Sequence, residues 1–205
     1  TNIPQKEGTE IVCTAYNNYY QSKPPIPTKY VKAMLTLILE ENSFKFNKKH
    51  FLQSCGTAMG TKAAVAFANI FMAKIENQIL ENSEVKPLEW VRFIDDIACF
   101  WDATKDEVVQ FVQKANQFHP TIKFTAEISD QKATFLDTII YKGDRFKDQG
   151  TLDIKAHFKP TEKSQHTHFK SSHPSSAKNG FFKGEALSEN LLLEEYLRVK
   201  LKRFQ

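Results

Sequence analysis

Along residues 5–21 apolar side chains return at every fourth position. Ile11, Ala15 and Tyr19 carry that rhythm, with Val12 and Tyr16 beside them, which predicts a helix. Pro24, Pro25 and Pro27 end it and form a stiff connector. Thr28 is placed to cap a second helix reaching about Glu41, whose apolar face is Val31, Met34, Leu35, Ile38 and Leu39. Phe44 to Phe46 and His50 to Leu52 flank Asn47-Lys48-Lys49 as a short hairpin. A long helix is expected from about Ala58 to Glu81, with small residues in its first half and Ile70, Phe71, Ile75, Ile79 and Leu80 in its second. Trp90 to Ile94 and Ile97 to Trp101 are strand-like runs separated only by Asp95-Asp96.

Further on, Val108, Phe111, Val112 and Ala115 mark a helix over 104–118, and strands are expected over 122–128, 134–141 and 152–158. Residues 159–184 have no clear period. An amphipathic helix through Leu193, Leu197, Leu201 and Phe204 is expected to close the chain over 185–204. Helices and strands therefore mix without strict alternation, which indicates an α+β fold with an antiparallel sheet.

Composition narrows the class. With 41% hydrophobic and 25% charged residues among 205, wholesale disorder is excluded, and the length suits one domain with an appendage or two small ones. Seventeen Phe are enough for a core with rings left over for base stacking. Cys13, Cys55 and Cys99 lack metal spacing, so neither a disulfide framework nor a zinc ribbon is indicated, and a reduced, intracellular compartment fits best. No run reaches the roughly 18–20 apolar residues of a membrane span. The opening T-N-I-P-Q-K-E-G has no apolar signal core and no initiator Met, and reads as a segment cut from a longer polypeptide.

The net charge of +4 conceals an asymmetry. Residues 1–139 carry 15 Lys and Arg against 16 Asp and Glu, whereas residues 140–205 carry 13 against 8 and four of the six His. A basic C-terminal third fits a polyanionic partner, or lysines that only solvate a surface.

The sharpest chemical feature is V-R-F-I-D-D-I-A-C-F-W, residues 91–101. Folded as a tight hairpin, it puts both carboxylates at the tip, and adjacent like charges repel unless something neutralises them. Arg92 is the only cation close in sequence, and strand alternation turns it away from Asp95. A divalent ion is the natural partner of two hard carboxylates. Two such ions about 3.5–4 Å apart are the common device for in-line phosphoryl transfer. Asp is also an ordinary turn residue, so the pair alone leaves both readings open. Upstream, Gly56, Thr57, Ala58 and Gly60 leave a nearly bare backbone at the expected start of a helix, with Lys62 adding a charge. Such a surface suits the close approach of a nucleotide or template base, or close packing of helices.

Taken together, G-T-A-M-G-T-K and A-N-I-F-M-A, followed some twenty residues later by R-F-I-D-D, resemble motifs B and C of a reverse transcriptase, and among these the Penelope-like retroelement family. T-N-I-P at the start, F-H-P-T-I-K-F-T-A-E (118–127), F-L-D-T-I-I-Y (135–141), H-F-K-P-T-E (157–162) and H-P-S-S-A-K-N-G-F-F-K-G-E-A-L (173–187) agree with it in family order. The resemblance implies a right-hand polymerase palm, residues 1–142, lacking the motif A strand and fingers, followed by a basic connection and partial helical thumb over 143–205. It implies RNA-directed DNA synthesis with Mg²⁺ (two ions, or Mn²⁺), an RNA template, a DNA primer and deoxynucleotides.

Under the resemblance, Asp95 and Asp96 are the paired metal-binding, catalytic aspartates. Gln53, Gly56, Thr57, Ala58, Met59, Gly60 and Lys62 belong to the loop that positions template and nucleotide. Lys132 matches a lysine proposed to protonate pyrophosphate. Phe181 and Phe182, between Lys178 and Lys183, are candidates to stack on or contact nucleic acid, or equally to anchor a buried loop. The family's third metal-binding aspartate falls just before T-N-I-P, and no other Asp precedes Asp95. These 205 residues alone are therefore expected not to polymerise. Nuclear residence would follow from the family's lifestyle. The alternative is a non-catalytic nucleic-acid-binding module on the palm scaffold, a degenerate or domesticated copy. His157, His166, His168 and His173 lack the spacing of a zinc finger, and Cys55 and Cys99 read as small hydrophobes.

Overall fold

A computed structural model describes residues 2–21, 23–58, 60–157, 170–176 and 180. Two compact units divide the chain, one through Ala126 and the other from Glu127 onward. The expected strand end at Phe158, the closing helix, the thumb and the residues Met59, His166, His168, Lys178, Phe181, Phe182 and Lys183 lie outside the described residues.

The first unit begins with helices α1 (Gln5–Tyr19) and α2 (Thr28–Glu40). Thr28 is the first helical residue and makes no capping bond, which corrects the expectation that it is the cap. Its hydroxyl donates instead to the Asn17 side chain, tying the two helices together, and Pro27 supplies the extended residue before the helix. A hairpin follows, β1 (Ser43–Phe46) and β2 (Lys49–Leu52), then helix α3 (Ala64–Glu81). The hairpin β3 (Glu89–Phe93) and β4 (Asp96–Phe100) and helix α4 (Lys105–Ala115) complete the unit. Thr104 and Glu107 form a reciprocal capping box that starts α4.

The core is built around α3. Phe71 and Ile79 are fully buried, and Ile11 of α1, Leu39 of α2, and Phe111 and Ala115 of α4 close over them. Gly8 lets α1 approach, because a methyl group at that position would overlap the Phe67 ring. His119 follows α4 and is 5% exposed. Its Nε2 lies 3.0 Å from the Glu7 carboxylate, Nδ1 accepts from the Thr121 amide, and the ring stands edge-on to Phe71.

No strand forms over 122–128. The Asn116 side chain takes both backbone groups of Phe124, accepting from its N–H at 2.6 Å and donating to its carbonyl at 2.9 Å. A side-chain amide thus replaces a ladder partner at this point, while Ile122 and Phe124 still pack on the core.

The second unit holds a three-stranded antiparallel sheet in the order β5 (Lys132–Phe135), β6 (Thr138–Tyr141), β7 (Asp153–Ala156), with helix α5 (Asp144–Gln149) between the last two. The single strand expected over 134–141 is instead two, the end of β5 and all of β6, joined by a turn at Leu136-Asp137. Helix α5 was not signalled by periodicity. It is one short turn and a half, ended by Gly150 in the left-handed conformation (φ 66°). Helices with small antiparallel sheets make the protein α+β, the class expected from the sequence.

A candidate polymerase site

The strands β3 and β4 pair from Glu89↔Phe100 to Phe93↔Asp96, leaving Ile94 and Asp95 as a two-residue turn. Both acids stand at the tip as expected, and both are exposed. The strands beneath are half-buried. Trp90 packs edge-on against Phe111 and Phe124, and Trp101 against Phe111, which seats the hairpin on α4 and the segment after it.

Tight hairpin turns favour residues that tolerate positive φ, normally Gly, Asn or Asp. Here the position is filled by Ile94 at φ 54°. A β-branched residue in that region is a true outlier, held against a cost of order 1–3 kcal/mol by its surroundings.

Those surroundings are identifiable. Arg92 donates from Nη1 to the Ile94 carbonyl at 3.1 Å and to Asn69 Oδ1 at 2.7 Å, from Nη2 to the Asn69 carbonyl at 3.3 Å, and from Nε to Glu76 Oε1 at 2.7 Å. Trp90 Nε1 donates to the same Glu76 oxygen at 3.0 Å. Arg92 and Glu76 side chains are only 12% and 10% exposed, so this is a nearly desolvated pair. The guanidinium ties helix α3 to the turn and leaves the tip carboxylates without a neutralising side chain: among the described residues neither Asp95 nor Asp96 has an ion-pair partner. Sequence reading missed Asn69 and Glu76. The available signal was an amide and an acid seven residues apart, hence on one face of helix α3.

The small-residue loop differs from its expected form. Helix α3 begins at Ala64, so residues 60–63 are turns and Gly56–Gly60 are not at a helix N-terminus. Gly56 (φ 70°) and Thr57 are buried, Ala58 is half-buried, and Gly60 and Lys62 are exposed. Gln53 exchanges backbone and side-chain hydrogen bonds with Asn42 and donates to the Cys55 carbonyl at 2.9 Å. Gln5 Nε2 donates to both the Leu39 and Gly56 carbonyls at 3.0 Å, stapling the loop to α1 and α2. Lys132 opens β5 opposite Tyr141 and is exposed. His157 and His173 are not part of any cluster of three or more metal-ligating side chains among the described residues.

Cys99 lies on β4, where burial and then the negative charge of Glu76 push its thiol up to about 12. Burial also raises Cys13, whereas Cys55 is exposed. At pH 8 a disulfide reagent is therefore expected to modify Cys55 first and Cys99 more than about tenfold more slowly. Cys99 keeps its proton in the folded chain beyond the pH at which an unfolded thiol, near 9.0, loses it. Its contribution to stability is thus complete below about pH 9 and is lost as pH rises toward 12. Fast labelling of Cys99 in the folded chain would contradict this.

The strained hairpin thus lifts two carboxylates that have no ion-pair partner among the described residues. The family model for reverse transcriptase (RNA-dependent DNA polymerase) matches residues 17–168, nearly three quarters of the chain and all of the hairpins and the loop just described. The chain belongs to that family. No curated protein matches it, and no solved structure does. Among the described residues no helix is long and apolar enough to cross a membrane.

Proposed function

We propose that this chain is the palm, with the connection toward the thumb, of a Penelope-like retroelement reverse transcriptase that copies RNA into DNA. The palm spans residues 1–142 and the basic connection and partial thumb 143–205. The observation that carries the reading is the pair Asp95-Asp96, exposed together at a strained two-residue turn within a reverse-transcriptase family match.

The donor set suits a hard divalent cation such as Mg²⁺ or Mn²⁺. Asp95 and Asp96 offer oxygen ligands, neither has an ion-pair partner among the described residues, and Arg92, the cation closest in sequence, is engaged with Glu76 and Asn69. Bound divalent ions supply the charge that activates a primer 3′-hydroxyl and stabilises departing pyrophosphate. The chain's own part is positioning. Arg92 fixes the turn that bears the acids. Gln5, Gln53 and Asn42 fix the loop 53–58, presenting Gly60 and Lys62 to solvent where template and nucleotide are proposed to lie. Lys132 is the proposed proton donor to pyrophosphate, and Lys178, Phe181, Phe182 and Lys183 the proposed contacts to nucleic acid. Nuclear residence belongs to the same proposal.

RNA-templated primer extension by the natural polypeptide that contains these residues tests the reading. Synthesis that requires a divalent ion and deoxynucleotides is expected. Salt-dependent nucleic-acid binding without synthesis would instead make the chain a binding module on a palm scaffold.

A further inference from the structure

The hairpin β1–β2 has no place in the chemistry above, yet its composition is unusual. All eight strand residues are exposed, and three of them are Phe. Phe46 is 69% exposed, Phe44 52% and Phe51 43%, so the hairpin leaves three rings in water. Register explains their grouping. Phe44 stands opposite Phe51 and Phe46 opposite Lys49, and cross-strand partners share a face, so the three rings lie on one side. Phe44 and Phe51 are stacked, with ring centroids 5.6 Å apart and planes inclined by 22°.

Charge accompanies the rings. Asn47 and Lys48 make the turn, both at positive φ (45° and 62°), which projects a lysine at the tip beside Lys49. Lys45, one strand position from Phe44 and Phe46, lies on the opposite face with His50. None of these three lysines has an ion-pair partner among the described residues. From Ser43 to Ile75 the chain carries Lys45, Lys48, Lys49, Lys62 and Lys74 and no acid at all.

From this juxtaposition we infer that β1–β2 is a stacking platform for a single-stranded polynucleotide, with bases laid on the Phe44–Phe46–Phe51 face and phosphates held by Lys48 at the tip and Lys49 on the same face. Exposed rings interleaved with unpaired cations are what sequence-tolerant binding of single strands requires, because every base has a π-face and every residue of the strand a charge. A purely apolar protein partner would gain nothing from the lysines, and a duplex would hide its base faces from the rings. The site needs neither metal nor deoxynucleotide, so it stands apart from the proposed polymerase reaction.

The test is fluorescence anisotropy of a labelled oligouridine and of a matched duplex with the 205-residue chain, in chelator and without deoxynucleotides. Phe46→Ala is expected to weaken oligouridine binding about 5- to 100-fold, the loss of one stacked base, with little change for the duplex. Phe46→Trp is expected to retain binding, and Phe46→Leu to lose it, since leucine keeps the apolar surface but not the π-face. Removing Lys48 and Lys49 together should lower the slope of log affinity against log salt by about 1.4. Circular dichroism confirms folding of each variant. Equal binding by Phe46→Ala and the parent, or full binding by Phe46→Leu, overturns the platform. So does a Phe46→Ala variant that only loses self-association.

Discussion

Asp95→Asn in the natural polypeptide is expected to reduce RNA-templated primer extension by about 10³-fold or more while leaving the fold intact. Asparagine keeps the size and turn tolerance of aspartate but removes one charge from the site proposed to hold a divalent cation. On the proposed mechanism such a cation would supply several kcal/mol of transition-state stabilisation, and each 1.36 kcal/mol is tenfold in rate. The side chain is exposed and unpaired among the described residues, so the thermal midpoint should hardly move. Retained extension would refute the assignment of this hairpin as the catalytic one. A lost fold would show instead that the acid has a structural task.

Arg92→Leu is expected to do the opposite, costing about 3–5 kcal/mol of stability. It strands the Glu76 carboxylate in a site where both side chains are nearly buried, and breaking such a pair is more damaging than replacing it whole. For a unit of this size that corresponds to a fall of roughly 10–20 °C in thermal midpoint. Replacing Glu76 by Leu as well should recover a large part of the loss. Arg92→Lys should recover little, because one ammonium cannot span Glu76, Asn69 and the Ile94 carbonyl as the guanidinium fork does. A midpoint unchanged in Arg92→Leu would contradict the network's role in holding the turn.

Two hairpins show where sequence was enough and where it was not. Phe93-Ile94-Asp95-Asp96 was legible because two consecutive acids interrupt strong apolar runs. Phe135-Leu136-Asp137-Thr138 makes the same two-residue turn, again with a bulky aliphatic residue at φ 54°, yet a single acid between apolar neighbours reads as one alternating strand. Neither turn carries the Gly or Asn that announces a hairpin.

The start of α3 was misplaced for a related reason. Small residues from Ala58 onward resemble a helix in composition, but tertiary bonds from Gln5 hold Gly56 in a left-handed, buried turn, and the helix waits until Ala64. The strand expected over 122–128 was lost to one side chain, Asn116, whose reach to Phe124 no periodicity encodes. At the site the acids themselves were visible. The ion pair that steadies them was not, because it joins residues sixteen apart across helix and strand.

Titration of the chain with Mn²⁺, followed by paramagnetic broadening of its backbone amides, tests the central claim most directly. Broadening is expected first at residues 93–97 and is expected to vanish in the Asp95→Asn, Asp96→Asn double variant. Broadening centred elsewhere, or unchanged by the double substitution, would contradict it.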